Sequence, residues 1–284
     1  GSMGVIIPPS IPFVMYGISS GVSISDMFIA GIIPGILIGL SLILSSYLIS
    51  RKKGYKGIEQ KYSFLEIIKT AWDAKWALLV PVIILGGIYG GAFTPTEAAG
   101  VAVIYGFIVG KFIYKDLKWS DLFDVIKDSA LTTATVMIII GTSTAFGRVL
   151  TLEGIPIAIA NAITNFTENP IIILLLINIL LLIVGTFMET LAAIIILTPI
   201  LVPIASAVGI NLVHFGIVMV VNLAIGFITP PLGVNLFVAS GISKSSLEEV
   251  SAGVLPFMIA MIIVLLLLTF VPGISLFLPR LISG

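Results

Sequence analysis

Prolines and glycines interrupt an apolar run at Gly226-Phe227-Ile228-Thr229-Pro230-Pro231-Leu232-Gly233-Val234-Asn235. In lipid, backbone groups released by such a break find no water, so protein or a bound ion must meet them. The break offers two kinds of ligand. Carbonyls ending its first half suit a hard cation such as Na⁺, and amides opening its second half suit a carboxylate. Pro230 disfavours helical geometry at Thr229, and glycine lets backbone approach an ion closely. A tolerated kink is the alternative reading.

The pattern occurs twice. Gly4-Val5-Ile6-Ile7-Pro8-Pro9-Ser10 has the same layout, and one constant offset carries Gly4, Ile6, Pro8 and Pro9 onto Gly226, Ile228, Pro230 and Pro231. That offset also carries Ala30, Gly31 and Pro34 onto Ala252, Gly253 and Pro256. Interrupted hydrophobic segments at corresponding places in two halves point to the binding site of a secondary transporter.

A third stretch, Gly185-Thr186-Phe187-Met188-Glu189-Thr190, sets a carboxylate between two apolar runs. At depth a carboxylate costs about 2.5 to 3.5 kcal/mol and marks function; a surface loop acid is the alternative. Residues 191–203 contain Pro199 and Pro203 and read as too short for an ordinary span. A re-entrant hairpin with its tip at 186–190 is therefore expected. The candidate cation ligands are Gly4, Ile7 and Pro9 at the first break, Gly185 and Thr186 at the tip, and Gly226, Thr229 and Pro231 at the second break. Candidate substrate groups are Ser10, Glu189, Thr190, Gly233 and Asn235, with Ser10 and Asn235 equally able to act as caps.

The elements that hold these residues follow from composition. The chain has 284 residues, 58% hydrophobic and 10% charged, where a soluble domain is about 25% charged. Several runs reach the roughly 20 residues that cross a hydrocarbon core. An all-α polytopic membrane protein is implied. The formal net charge is zero and the basic residues lie in loops without interleaved aromatics, so nucleic acid is not an indicated partner. Absence of cysteine excludes disulfides and thiolate chemistry, and a single histidine, His214, leaves little for a metal site or a catalytic triad. His214 reads as a loop or helix-start residue.

In chain order, Ser10 caps a short helix from Ile11, and Ser25-Asp26 opens a span to Ile49 kinked at Pro34. Arg51, Lys52, Lys53, Lys56, Lys61, Lys69 and Lys75 hold half of the Lys and Arg, which places this stretch on the cytoplasmic side by the positive-inside rule. Trp72 and Trp76 flank the next span at interface depth. Thr94-Pro95-Thr96-Glu97 reads as a capping box, which accounts for Glu97 locally. Residues 115–128 read as an interfacial amphipathic helix that dips into the membrane over 130–140. Residues 141–147, small and polar, suit either close helix packing or a water-lined break. A short helix over 154–163 and an aqueous turn over 165–170 follow. Ser243-Lys244-Ser245-Ser246-Leu247-Glu248-Glu249 opens the last span, which ends near Val271, with a terminal interfacial piece over 272–280. The expected domains are 1–50, the end of a first repeat; 51–75, a basic loop; 76–150, scaffold spans and an amphipathic arm; and 151–284, a hairpin, broken helix and last span.

These residues resemble a known family. The motif Gly-x-x-Gly-x-Ile-Ile-Pro-Pro-Ser-Ile-Pro at 1–12, Phe93-Thr94-Pro95-Thr96-Glu97-Ala98-Ala99, Leu150-Thr151-Leu152-Glu153-Gly154-Ile155-Pro156, Ile196-Leu197-Thr198-Pro199-Ile200-Leu201 and Thr229-Pro230-Pro231-Leu232-Gly233-Val234-Asn235 are similar to those of the large membrane subunit of TRAP transporters, the DctM type. The resemblance runs the length of the chain. It implies an inverted-repeat, elevator-type transporter with re-entrant hairpins and discontinuous helices in the prokaryotic cytoplasmic (inner) membrane. It further implies Na⁺-driven import of an organic acid such as a C4-dicarboxylate or sialic acid. The implied partners are a small TRAP membrane subunit and an extracytoplasmic substrate-binding protein. Two departures stand out: the family's N-terminal half with its first hairpin is expected to be missing, leaving one cation site half present, and Glu189 stands where an aspartate is expected.

An intramembrane enzyme would need a catalytic pair at depth, and Glu189 and Glu97 are the acids on offer, so the chain reads as no enzyme. A channel would not need duplicated breaks, and a scaffold subunit would tolerate loss of Thr186 and Thr229. Because the chain carries no cysteine, topology is directly testable. A membrane-impermeant thiol reagent is expected to label Lys53→Cys from the cytoplasmic side, and exclusive labelling from outside would invert the orientation.

Overall fold

In the computed structural model, residues 1–55, 63–155, 158, 167, 169–231 and 233–283 are described. Among them every regular element is helical: α1 (Ile11–Ser20), α2 (Ile24–Lys53), α3 (Phe64–Asp73), α4 (Lys75–Tyr89), α5 (Pro95–Ile108) with a π-helical extension (Val109–Ile113), α6 (Trp119–Leu152), α7 (Pro170–Phe187), α8 (Thr190–Ala207), α9 (Leu212–Gly226), α10 (Val234–Ser243), α11 (Leu247–Phe270) and α12 (Gly273–Ser283), with a single 3-10 turn at Ser2–Val5. Six of the described helices are long and apolar enough to cross a membrane, and a seventh span results if α3 and α4, bent by 68° at their junction, are taken together. The chain is a polytopic helical membrane protein.

Two compact units divide it, Gly1–Lys53 with Ile139–Gly284 as one and Gly54–Ile138 as the other. The axis of the first is α9. Every residue from His214 to Gly226 is buried, as a helix apolar all round must be. It packs against α1, α2, α7, α8, α11 and α12. Lipid tails are as apolar as leucine, so close contact and hydrogen bonds rather than water exclusion hold such neighbours together. Gly216 gives way to the Tyr16 ring and Met27, where a Cβ would overlap both. The Tyr16 hydroxyl donates to the Leu212 carbonyl at 2.7 Å, and its ring lies 6.3 Å from that of Phe215. His214 is indeed a helix-start residue, yet it is buried, with Nδ1 2.6 Å from the Ser275 hydroxyl of α12.

With 15 residues, α9 is about 22 Å long at 1.5 Å per residue, short of a crossing, and the chain then breaks before α10. The same succession occurs near the start: a break, the ten-residue α1, a left-handed residue at Gly21, and the long α2. After the second break come the ten-residue α10, a left-handed Lys244, and α11. Both Pro-Pro bonds, Pro8-Pro9 and Pro230-Pro231, are cis.

Several expectations need correction. Residues 51–75 are not a continuous loop. α2 runs on to Lys53, and Phe64–Asp73 is helical, opened by a Ser63–Glu66 capping box with Phe64, Leu65, Ile68 and Trp72 as its apolar positions; the run of charges masked that periodicity. Lys56 and Lys61 lie outside the described residues. Residues 115–118 are non-helical, and the expected interfacial helix and the dip after it are one helix, the 34-residue α6. The small residues at 141–147 do not break α6 but serve packing: Ser143 is buried, and a Cβ on Gly147 would meet the Pro199 ring at 3.3 Å. α8 runs unbroken through Pro199 and Pro203 for 18 residues, as long as α7, so the proline content does not shorten it. The expected helix over 154–163 and the turn after it fall largely outside the described residues.

In the second unit, the expected capping box is in place. The Thr94 amide donates to the Glu97 carboxylate at 2.8 Å and the Glu97 amide to the Thr94 hydroxyl at 3.3 Å. Tyr105 of α5 donates to the Trp76 carbonyl at 2.8 Å, and the Lys75 ammonium sits 4.0 Å from the centre of the Trp72 ring.

Candidate ion and substrate site at the broken helices

α7 and α8 form the two arms of the hairpin, and its tip meets the second break through two glycines. Gly185, in the last turn of α7, and Gly226, the last residue of α9, are both buried. A Cβ on Gly226 would fall on the Gly185 carbonyl, and a Cβ on Gly185 would lie 3.4 Å from the Gly226 Cα. Gly226 has no room for a side chain and Gly185 is in van der Waals contact with it, so the two backbones meet directly. The expected pairing of hairpin tip and second break is thus present in the geometry.

The carbonyls here are not bare. The Thr229 amide donates to the Gly226 carbonyl at 3.0 Å, the Ile228 amide to the Ile225 carbonyl at 3.0 Å, and the Asn235 amide reaches back over the break to the Phe227 carbonyl at 3.0 Å. These bonds tighten the helix end as three-residue turns do, and the Gly226 and Phe227 carbonyls each retain a second lone pair, whereas the Ile225 carbonyl accepts twice. Two hydroxyls add acceptors. Thr229 Oγ1 donates to the Ile225 carbonyl at 2.8 Å, and Thr186 Oγ1 donates to the Ile183 carbonyl at 2.7 Å. With their protons committed to the preceding turn, both oxygens present lone pairs outward. Carbonyl and hydroxyl oxygens predominate here, which suits a hard monovalent cation, and the Met258 sulfur of α11 lies 3.5 Å from Thr229 Oγ1. Pro231 is exposed at the outer side of the break.

Gly233 adopts a left-handed conformation, φ 35°, at the entry to α10, where a Cβ would also press within 2.7 Å of the Leu236 side chain. Asn235 follows, and its Nδ2 donates to the Ser2 hydroxyl at 3.3 Å. Ser2 and Asn235, with Ile228, Leu236, Phe257 and Met261, line a cavity of about 440 Å³. Asn235 is thereby one of the few polar groups facing a largely apolar chamber between the two breaks.

The first break is built differently. Ile7 packs on α2, where a Cβ at Gly35 would come within 2.8 Å of its side chain, and a Cβ at Gly31 would lie 3.1 Å from the Ile6 carbonyl. Gly4 is exposed with no atom within 4 Å of a Cβ position, and Ile7 and Pro9 are exposed too. Gly4 therefore has no counterpart of the Gly185 contact among the described residues.

Two substrate candidates are engaged elsewhere. Ser10 is buried and caps α1, with its Oγ accepting from the Phe13 amide at 3.5 Å and donating to the Val5 carbonyl. Of its two readings, the cap is the one that forms. Glu189 caps α8, its carboxylate accepting from the Leu191 and Ala192 amides at 2.8 and 3.1 Å. An ionised carboxylate is acceptor-only, so Glu189 occupies the amides that would otherwise draw an anion and offers a carboxylate substrate no donor. Thr190 beside it is buried.

Sequence reasoning passed over Asn178 and Asn222. Each is the lone amide in an aliphatic run, at 171–184 and 215–225, and a polar group inside an apolar span was the available signal. They meet across α7 and α9 at 2.8 Å.

The family model of the DctM component of tripartite ATP-independent periplasmic transporters matches residues 1–274. The chain is 52% identical to the isethionate TRAP transporter permease protein DctMQ of Oleidesulfovibrio alaskensis, over 98% of this chain and 44% of that protein. It is 44% identical to the C4-dicarboxylate TRAP transporter large permease protein DctM of Pseudomonas aeruginosa, over 99% of this chain and 65% of that one. To the sialic acid TRAP transporter large permease protein SiaM of Vibrio cholerae it is 42% identical, over 99% and 66% respectively. The chain thus spans between 44 and 66% of the length of these relatives.

The glycine contact makes a differential prediction. Gly226→Ala overpacks the contact and is expected to destabilise the protein by about 1 to 3 kcal/mol, whereas Gly253→Ala, at a helix position with nothing within 4 Å, is expected to be neutral or stabilising by up to about 1 kcal/mol. Thermal unfolding in detergent separates the two, and equal effects would remove the contact.

Proposed function

The chain belongs to the DctM component family of tripartite ATP-independent periplasmic transporters, and from that premise we propose that it forms part of the large membrane subunit of a Na⁺-coupled organic-anion importer. Its transported anion is a small carboxylate or sulfonate, the two acid classes that the named relatives move. In this reading the subunit sits in the cytoplasmic membrane of a prokaryote with a small membrane subunit, and an extracytoplasmic binding protein delivers the anion. The Gly185–Gly226 contact carries the proposal. It brings the Gly185 carbonyl against the end of α9, a helix too short to cross, with Thr186 and Thr229 each within a few residues of the contact, which supports a Na⁺ site there.

The anion binds beside that ion, at the second-half residues of the break. Gly233 gives its backbone close access there, and Asn235 supplies an amide side chain able to donate to an acid oxygen. The cation offsets the negative charge of the substrate, so binding of the two is mutually favourable, which is the thermodynamic root of coupling. The recurrence of the break at Gly4 to Ser10 supports a second site, completed in the whole subunit by a hairpin facing Gly4. Movement of hairpin and broken helix as one body would then carry ion and anion across together.

The test is uptake of labelled organic acids into proteoliposomes that hold the whole large subunit, its small partner and a cognate binding protein. An inward Na⁺ gradient is expected to drive accumulation above equilibrium and a K⁺ gradient is not. Thr229→Ala is expected to cut Na⁺-driven uptake at least tenfold, about 1.4 kcal/mol, with assembly unchanged. Equilibration without accumulation would favour a channel, and unchanged uptake by the variant would remove Thr229 from the ion site.

A further inference from the structure

A buried run of polar side chains crosses three helices just behind the glycine contact. Asn222 of α9 donates through Nδ2 to Asn178 Oδ1 at 2.8 Å and to the Val218 carbonyl at 2.9 Å. Asn178 of α7 donates through Nδ2 to Thr269 Oγ1 of α11 at 2.8 Å, and Thr269 donates to the Leu265 carbonyl at 2.8 Å. Exposure is 3% at Asn178, 0% at Asn222 and 1% at Thr269. None of the three touches the breaks, and no part of the transport chemistry above uses them.

Their placement along the helices is informative. Asn178 precedes Gly185 by two helical turns and Asn222 precedes Gly226 by one, so on each helix the amide and the glycine lie on the same face. The pair α7 and α9 is thus joined twice along one seam, once by directed hydrogen bonds and once by bare backbone. The two contacts differ in kind. Glycine against glycine is close but non-directional, and aliphatic neighbours such as Leu223 on α9 and the leucines of α7 give little resistance to a slip along the seam. A side-chain amide pair has a fixed donor and acceptor and tolerates no slip at 2.8 Å. Buried in an apolar bundle, it has no water to replace a lost bond across the seam, since the Val218 carbonyl lies on Asn222's own helix and Thr269 on α11.

We propose that Asn222, Asn178 and Thr269 are positioning residues that set the register of α7 against α9, and thereby the opening between the Gly185–Thr186 and Gly226–Thr229 oxygens that receives the cation. The inference rests on the Na⁺ site proposed above and deepens it. Loss of the ladder weakens Na⁺ binding without touching a ligand, and acts on substrate only through the ion.

The test compares Asn178→Leu, Asn222→Leu, the double variant and Thr269→Val in the assembled full-length transporter, reading both melting temperature and the Na⁺ concentration for half-maximal uptake. Each single leucine variant strands a buried amide partner and is expected to melt lower, whereas the double variant removes both polar groups and is expected to regain most of the loss. The Na⁺ requirement separates positioning from polar-group satisfaction. In the double variant half-saturation is expected to stay raised by roughly tenfold, the size of effect that changes along a packed network produce, with the maximal rate at saturating Na⁺ within about twofold of wild type. Thr269→Val keeps its shape, stays folded, and is expected to raise half-saturation by roughly threefold. A double variant or a folded Thr269→Val with wild-type Na⁺ half-saturation would overturn the proposal. Wild-type uptake indifferent to Na⁺ would remove the ion site itself and this inference with it, an outcome visible before any variant is made.

Discussion

Backbone amides and carbonyls cannot be left unpaired in hydrocarbon, and the first unit of this chain is arranged around two places where a helix stops inside an apolar segment. At the second, the polar groups freed by Pro230 and Pro231 are gathered in by short turns at Ile225 and Gly226 and by a bond from Asn235 back to Phe227. At the first, Ser10 performs the equivalent bridging with a side chain, from the Val5 carbonyl to the Phe13 amide. Each break is thus closed from within. What distinguishes the second is the carbonyl of Gly185 brought against Gly226, which adds a further oxygen to the helix end and is the foundation of the proposed ion site.

That contact depends on α9 being enclosed on all sides. Since lipid supplies no hydrophobic drive between helices, enclosure rests on close approach at Gly216, Gly226 and Gly185 and on a few directed bonds: Tyr16 to Leu212, His214 to Ser275 and Asn222 to Asn178. The polar bonds are spread along the length of α9, from its first turn to the turn before the break. Asn222 thus ties α9 to α7, and Asn178 ties α7 in turn to Thr269 of α11.

Features governed by local rules were legible in the sequence. Proline, glycine and cap residues act on their own chain within a turn, so both breaks, the Ser10 cap, the Thr94–Glu97 box and the serine entry to α11, closed by Ser246 and Glu249, could be read directly. Features that depend on which faces meet could not. Glu189 had two readings, a functional carboxylate at depth and a surface loop acid, and the cap it forms on the Leu191 and Ala192 amides was neither. Of the two readings of 141–147, packing is the one that forms, because small polar residues fit a continuous helix when a facing Pro199 fills the space over Gly147. Asn178 and Asn222 are lone amides forty-four residues apart, and no local rule joins them. The helix Phe64–Asp73 was hidden for a different reason: its charges dominated the reading of a stretch whose apolar positions recur at helical spacing.

The central claim is that hairpin tip and second break act together as one ion-receiving unit, and backbone hydrogen exchange of the full-length protein in detergent tests it most directly. Exchange in peptides covering 183–192 and 224–236 should slow together when Na⁺ replaces K⁺, at the same Na⁺ concentration for both. Protection of one segment without the other, or of neither, would contradict the account.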